Sequence, residues 1–142
     1  MKFNFKIEEF PNETESYHVP AYTEGNLRLT YDGKEFLNVD GILLVEFAIM
    51  LKKWLLVVEA GRMDSFVYES MDFEESPILE FKLLNNSTVK PASVWQIHEG
   101  NEVALETVVN AGKNYLRELV DEVKSTYHYD LENRINQEIA AN

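Results

Sequence analysis

Phe3, Phe5 and Ile7 alternate with Asn4, Lys6 and Glu8 at the start of the chain. A period of two predicts a strand with one buried face. The stretch that follows, "PNETESYHVPAYTEGN", is rich in Pro, Glu, Ser and Thr and reads as a loop. "LRLTYDGKEFLNV" holds the clearest local signal. Asp32-Gly33 supplies the two positive-φ residues of a type I′ hairpin turn, which pairs Tyr31 with Lys34, Leu29 with Phe36 and Leu27 with Asn38. That register places Leu27, Leu29, Tyr31 and Phe36 on one core-facing side.

Asp40 is positioned to cap a helix that begins near Ile42 and ends before Gly61. Most of its turns are apolar all round, so it is expected to be covered on more than one side. A sheet and a second helix would supply that cover, or a second copy of the chain in a homodimer joined through residues 42–58. "SFVYES", "PILEFKLLN" and "ASVWQIHE" predict three further strands, with "MDFEES" and "NNSTVK" as connections. Asn101 then caps a long helix whose stripe is Leu105, Val108, Val109, Gly112, Leu116, Leu119, Val120 and Val123. The tail from about residue 128 is polar, either a short extra helix or a frayed end. Strands in runs rather than strict alternation with helices predict a single α+β domain over residues 1–142. Its expected form is an antiparallel sheet of about six strands with two main helices packed on one face.

Composition narrows the functions open to such a domain. A chain of 142 residues buries roughly two-thirds of its unfolded surface. No cysteine is present, which removes disulfides and thiol chemistry. The apolar run Gly41 to Val58 is interrupted by Glu46, Lys52 and Lys53, so no membrane span is expected. The opening "MKFNFKIEEFPNE" has no apolar core of a signal peptide, and a cytoplasmic location is the simplest expectation. A net charge of −12 repels phosphate backbones, which argues against nucleic acid, and it attracts basic partners.

Candidate chemistry is sparse. The glycines are scattered, and neither a dinucleotide fingerprint nor a phosphate-binding loop can be written through them, so no cofactor is expected. His98, Glu99, Glu102 and Glu106 are the tightest group of metal-ligand types, but no paired-histidine spacing accompanies them, and acids in a first helical turn are expected from the helix dipole alone. No serine lies in a nucleophile elbow. A paired-carboxylate site needs one carboxyl in an apolar setting, and Glu46, among Val45, Phe47, Ile49 and Met50, is the candidate. Tyr127 and His128 could add an acid–base pair to a pocket between sheet and helices. Neither a catalytic set nor a metal site is expected from these patterns.

The strongest departure from an even distribution is "YESMDFEESPILEF" and its surroundings. Residues 59–80 carry Glu59, Asp64, Glu69, Asp72, Glu74, Glu75 and Glu80 against Arg62 alone, half the net charge of the chain. Phe66, Tyr68, Met71 and Phe73 lie among them. Aromatic anchors rimmed by charge make an electrostatically steered interface. Asp64, Tyr68, Glu69, Asp72, Phe73, Glu74, Glu75 and Glu80 are therefore the candidate partner-binding residues. A cysteine-free acidic chain with a Phe-rich first strand, the helix "LLVEFAIMLKKWL" and "SVWQIHE" before a long helix resembles the immunity proteins of bacterial polymorphic-toxin systems. The resemblance implies an α+β fold, tight binding to a basic cognate toxin domain and no catalysis by the chain itself.

Overall fold

The structure, a computed structural model, describes residues 1–70 and 72–141. Strand β1 (Lys2–Glu9) leads through a five-residue helix, α1 (His18–Tyr22), to β2 (Glu24–Tyr31) and β3 (Lys34–Leu43). Helix α2 (Leu44–Glu59) is followed by β4 (Phe66–Tyr68), β5 (Leu79–Leu83), β6 (Thr88–Ala92) and the short β7 (Val103–Ala104). Helices α3 (Leu105–Tyr127) and α4 (Leu131–Ala140) complete the chain. The class is α+β. The strands divide into two antiparallel sheets, β1-β2-β3 and β4-β5-β6-β7, where the alternation predicted one sheet of about six strands.

One core joins the two sheets. The Phe47 ring of α2 lies against Phe3 of β1, Phe66 and Tyr68 of β4 and Tyr115 of α3, with centroids 5.0 to 5.9 Å apart. Phe3 of the first sheet also reaches Phe81 of the second at 6.2 Å. Tilted and edge-on pairs of this kind are the favoured aromatic geometry in cores. Helix α2 is buried along most of its length, and Leu56, 47 % exposed, is its one exposed large apolar residue. Gly112 lets α3 approach it closely: a β-carbon there would lie 3.3 Å from the Leu55 side chain.

Asp32 and Gly33 have φ of 53° and 72°, as the type I′ turn requires. The predicted pairing holds at Tyr31–Lys34 and then shifts by one residue. Leu29 faces Leu37 and Leu27 faces Val39, because a bulge inserts an extra residue into β3. Phe36 and Leu37 are consequently both buried.

Both predicted helix caps are replaced. Asp40 lies within β3, where its carboxylate accepts from the Asn26 amide at 2.9 Å, and the strand runs straight into α2. The first helical N–H, Leu44 N, is satisfied by the Thr23 carbonyl at 2.9 Å. Asn101 precedes α3 by several residues and donates its N–H to the Tyr31 hydroxyl, while Leu105 N donates to Ser87 O at 2.8 Å. Tertiary partners thus satisfy the orphan donors that side-chain caps were expected to take.

The predicted strand "ASVWQIHE" is a series of turns. Ser93 Oγ accepts from Trp95 N at 3.0 Å, and the Gln96 side chain accepts from Ser93 N at 3.1 Å. These local bonds compete with a ladder and win. The strand lies earlier, at Thr88–Ala92, starting inside the expected connection and ending on the first residue of the expected strand. The polar tail forms a true helix: Asp130 caps α4 by accepting from Asn133 N at 3.1 Å, and Leu131 and Ile135 are buried.

Candidate partner-binding surface

The acidic segment is a turn held to the rest of the molecule at both ends. Ser70 opens it: Asp72 N donates to Ser70 Oγ and Phe73 N to Ser70 O. Beyond the turn, Ile78 N donates to Tyr68 O, and Pro77 O accepts from Val94 N at 3.1 Å. The last bond ties the acidic turn to the 93–97 loop. There the Phe73 ring meets Trp95 edge-on at 5.2 Å. Both rings are half-buried, while Val94 and Ile97 beside Trp95 are 43 % and 57 % exposed. Ile97 N is bonded to Phe36 O at 2.8 Å, so the loop is anchored to both sheets.

The turn also reaches a second group of acids from a distant part of the chain. A β-carbon added at Gly41 of β3 would lie 3.8 Å from the Phe73 ring and 3.4 Å from a Glu24 carboxylate oxygen. Glu24 and Gly41, with Glu8, Glu9, Gly25 and Asp40, line a groove of about 340 Å³ at one end of the first sheet. Phe73 therefore links the groove to the turn carrying Asp72, Glu74 and Glu75, with Trp95 packed against its ring. Among the described residues, none of the carboxylates of the groove or the turn makes an ion pair within the chain. Their field is directed at solvent.

The predicted site residues do not all belong here. Glu69, Asp72, Glu74 and Glu75 are exposed around the turn, and Phe73 supplies apolar surface as expected. Asp64 precedes β4 while the turn follows it, so Asp64 lies at the other end of that strand, its carbonyl accepting from Trp54 Nε1 at 2.7 Å. Glu80 is half-buried in β5, opposite Val67. Tyr68 is a correction. It is fully buried, and its hydroxyl donates to Glu46 Oε1 at 3.0 Å, so it offers no surface to a partner. Phe66 is buried too, and Met71 lies outside the described residues. The apolar contribution comes instead from Trp95, Val94 and Ile97. The period-two spacing of Trp95 and Ile97 imitates a strand, which hides the loop from a reading by alternation.

Elsewhere the candidate chemistry is dispersed. Tyr115 of α3 donates its hydroxyl to Leu44 O, level with the first turn of α2 where Glu46 lies. Tyr127 is three turns further along α3, about 18 Å at the helical rise, and stacks on Phe10 with centroids 4.3 Å apart. Glu46 and the Tyr127–His128 pair thus do not share a pocket. His128 is exposed, with a φ of 56° at the α3–α4 elbow. Clefts at that elbow are lined by α3 and α4, with Lys52 of α2 in one of them, and no strand contributes. His98 packs its ring against Phe36 and Tyr31 and donates from Nδ1 to Glu99 O at 2.9 Å. Among the described residues no three His, Asp or Glu side chains are grouped to hold a metal ion, and no helix is long and apolar enough to cross a membrane.

The chain is thus an α+β domain with a cluster of carboxylates, none in an ion pair among the described residues, beside the Phe73–Trp95 contact. Over residues 1–125 the chain matches the family described as Domain of unknown function (DUF7878), and it belongs to that family. No curated protein and no solved structure matches it.

Proposed function

We propose that this protein is a non-enzymatic, cytoplasmic binding protein that docks a basic protein partner on the surface around Phe73 and Trp95. Its specific form is an immunity-type protein that neutralises a basic toxin domain. The observation that supports the reading is the meeting of two acidic segments at Phe73, whose ring packs on Trp95; among the described residues, no cation is ion-paired to any of these carboxylates. Charge of one sign collected on one side raises the rate of encounter with an oppositely charged partner, and a central apolar contact then holds it.

The test begins with the coding region next to this one. A large neighbouring protein with a basic C-terminal domain is the partner to express and titrate. Binding should be tight and weakened by salt. Neutralising the turn together, Asp72→Asn, Glu74→Gln and Glu75→Gln, should lower the association rate by about tenfold at low ionic strength. Unchanged binding by the triple variant would exclude the acidic turn as the docking surface.

A further inference from the structure

We propose that the free edge of β1 pairs antiparallel with β1 of a second copy, Phe5 opposite Phe5, joining the two three-stranded sheets into one. The inference is independent of the basic partner and rests on backbone direction and charge. β1 is the outermost strand of its sheet, bonded on one side only, to β2. Among the described residues, no other main-chain group bonds to residues 2–9. An edge strand of eight residues is a template for another strand.

The direction of its free groups follows from two contacts. The Lys2 carbonyl accepts from the Thr30 hydroxyl of β2 at 3.5 Å, and the Lys6 carbonyl abuts Gly25 of β2. Even-numbered residues therefore turn their main-chain groups toward β2, and Phe3, Phe5 and Ile7 turn theirs outward, because the two groups of one residue in a strand point the same way. An antiparallel partner must set odd residues against odd residues. With Phe5 opposite Phe5, Phe3 faces Ile7, Lys2 faces Glu8 and Lys6 faces Asn4. A slip of two residues one way sets Lys2 against Lys6, and a slip the other way sets Lys6 against Lys6. Like charges directly opposite are destabilising and opposite charges favourable, so the central register, the one that pairs the full strand, is favoured over its two neighbours.

The same lysines and the bulge after Ile7 are features that normally discourage edge pairing. Here the lysines disfavour the neighbouring registers, and the two-fold arrangement uses up the edge of both copies, so the pairing closes. The opposite edge, β3, is partly covered by the bond from Ile97 N to Phe36 O. Phe5 and Ile7, half-buried in the single chain, gain cover from their counterparts. The cost is at Lys2, which is held by Glu118 of α3 at 2.5 Å and is shared with Glu8 of the second copy on pairing. An exposed ion pair of this kind contributes little.

The test uses the whole chain in a concentration series by sedimentation velocity, with amide exchange followed in parallel. A reversible dimer is expected, in which the Phe3, Phe5 and Ile7 amides become protected as concentration rises while those of Asn4 and Lys6 are protected throughout. Lys2→Glu and Glu8→Lys should each weaken dimerisation about tenfold. The double variant should restore it, although it leaves Glu118 without its partner. A chain still monomeric at about 1 mM overturns the proposal and leaves the edge to solvent or to a strand of another protein. A double variant no better than the singles overturns the register.

Discussion

The Tyr68 hydroxyl donates to Glu46 Oε1 at 3.0 Å, across the junction between β4 and α2. This one bond redefines two residues whose roles looked functional. Tyr68 becomes a core residue, and Glu46 becomes its acceptor. Tyr68→Phe should lower stability by about 1–2 kcal/mol, read by urea unfolding. It should leave the affinity for a basic partner unchanged, since the ring edge it alters faces inward.

Burial pushes the Tyr68 hydroxyl far above the ordinary tyrosine range, helped by the negative charge of Glu46 beside it, and burial likewise raises Tyr115. Unfolded tyrosines release their protons near pH 10, while the folded chain keeps these two. Their contribution is therefore fully present below about pH 10 and is lost as the pH rises above it. Unfolding free energy measured against pH should fall steeply on the alkaline side. Tyr68→Phe should make that slope shallower, and a variant with the original slope would argue against a buried, protonated Tyr68.

Two glycines make opposite predictions. A β-carbon at Gly25 would lie 1.9 Å from the Lys6 carbonyl oxygen, a main-chain atom that can move only with the strand. Gly25→Ala should therefore cost about 3 kcal/mol and disturb the β1–β2 pairing. At Gly112 the nearest atom is the tip of the Leu55 side chain at 3.3 Å, and the new helical alanine offsets the adjustment. Gly112→Ala should change stability by less than about 1 kcal/mol. Denaturation midpoints of the two variants check both.

If the exposed loop is the apolar centre of the docking surface, Ile97→Asp should weaken partner binding at least tenfold. The substitution adds negative charge, so charge alone would strengthen the attraction to a basic partner. A loss therefore reports the apolar contact. Ile97 is 57 % exposed, and circular dichroism of the variant should match the parent.

Glu24→Gln, on the groove, and Asp72→Asn, on the turn, should each slow association with the same partner. The double variant should slow it by the product of the two factors, as for sites acting independently on one encounter. Stopped-flow association rates decide this. An effect of Asp72→Asn with none from Glu24→Gln would confine the surface to the turn.

Local chemistry in the sequence was legible where one short segment sets its own geometry. Asp32-Gly33 specifies its turn, and the apolar stripes of α2 and α3 specify their buried faces. The bulge at Phe36 was not legible, because alternation counts residues in twos and an inserted residue restarts the count. The strand Thr88–Ala92 was not legible, because "NNSTVK" carries the turn residues of a short connection. In the fold β7 pairs only with Thr88 and Val89, so the missing N–H of Pro91 faces no ladder. The candidate surface was half legible. The acidic turn stands out in composition, but its meeting with Glu24 and the groove depends on contacts between residues far apart in the chain, which no local pattern encodes.

The groove carboxylates project from or beside hydrogen-bonded strands, whereas Phe73, Val94, Trp95 and Ile97 sit on turns. The bonds that fasten the 93–97 loop at Val94 and Ile97 come from main-chain N–H groups, so they survive any replacement there except proline. Under the proposed docking role, the loop side chains can therefore change which partner is recognised, one at a time, while the main-chain bonds of the loop and the carboxylates around it stay as they are.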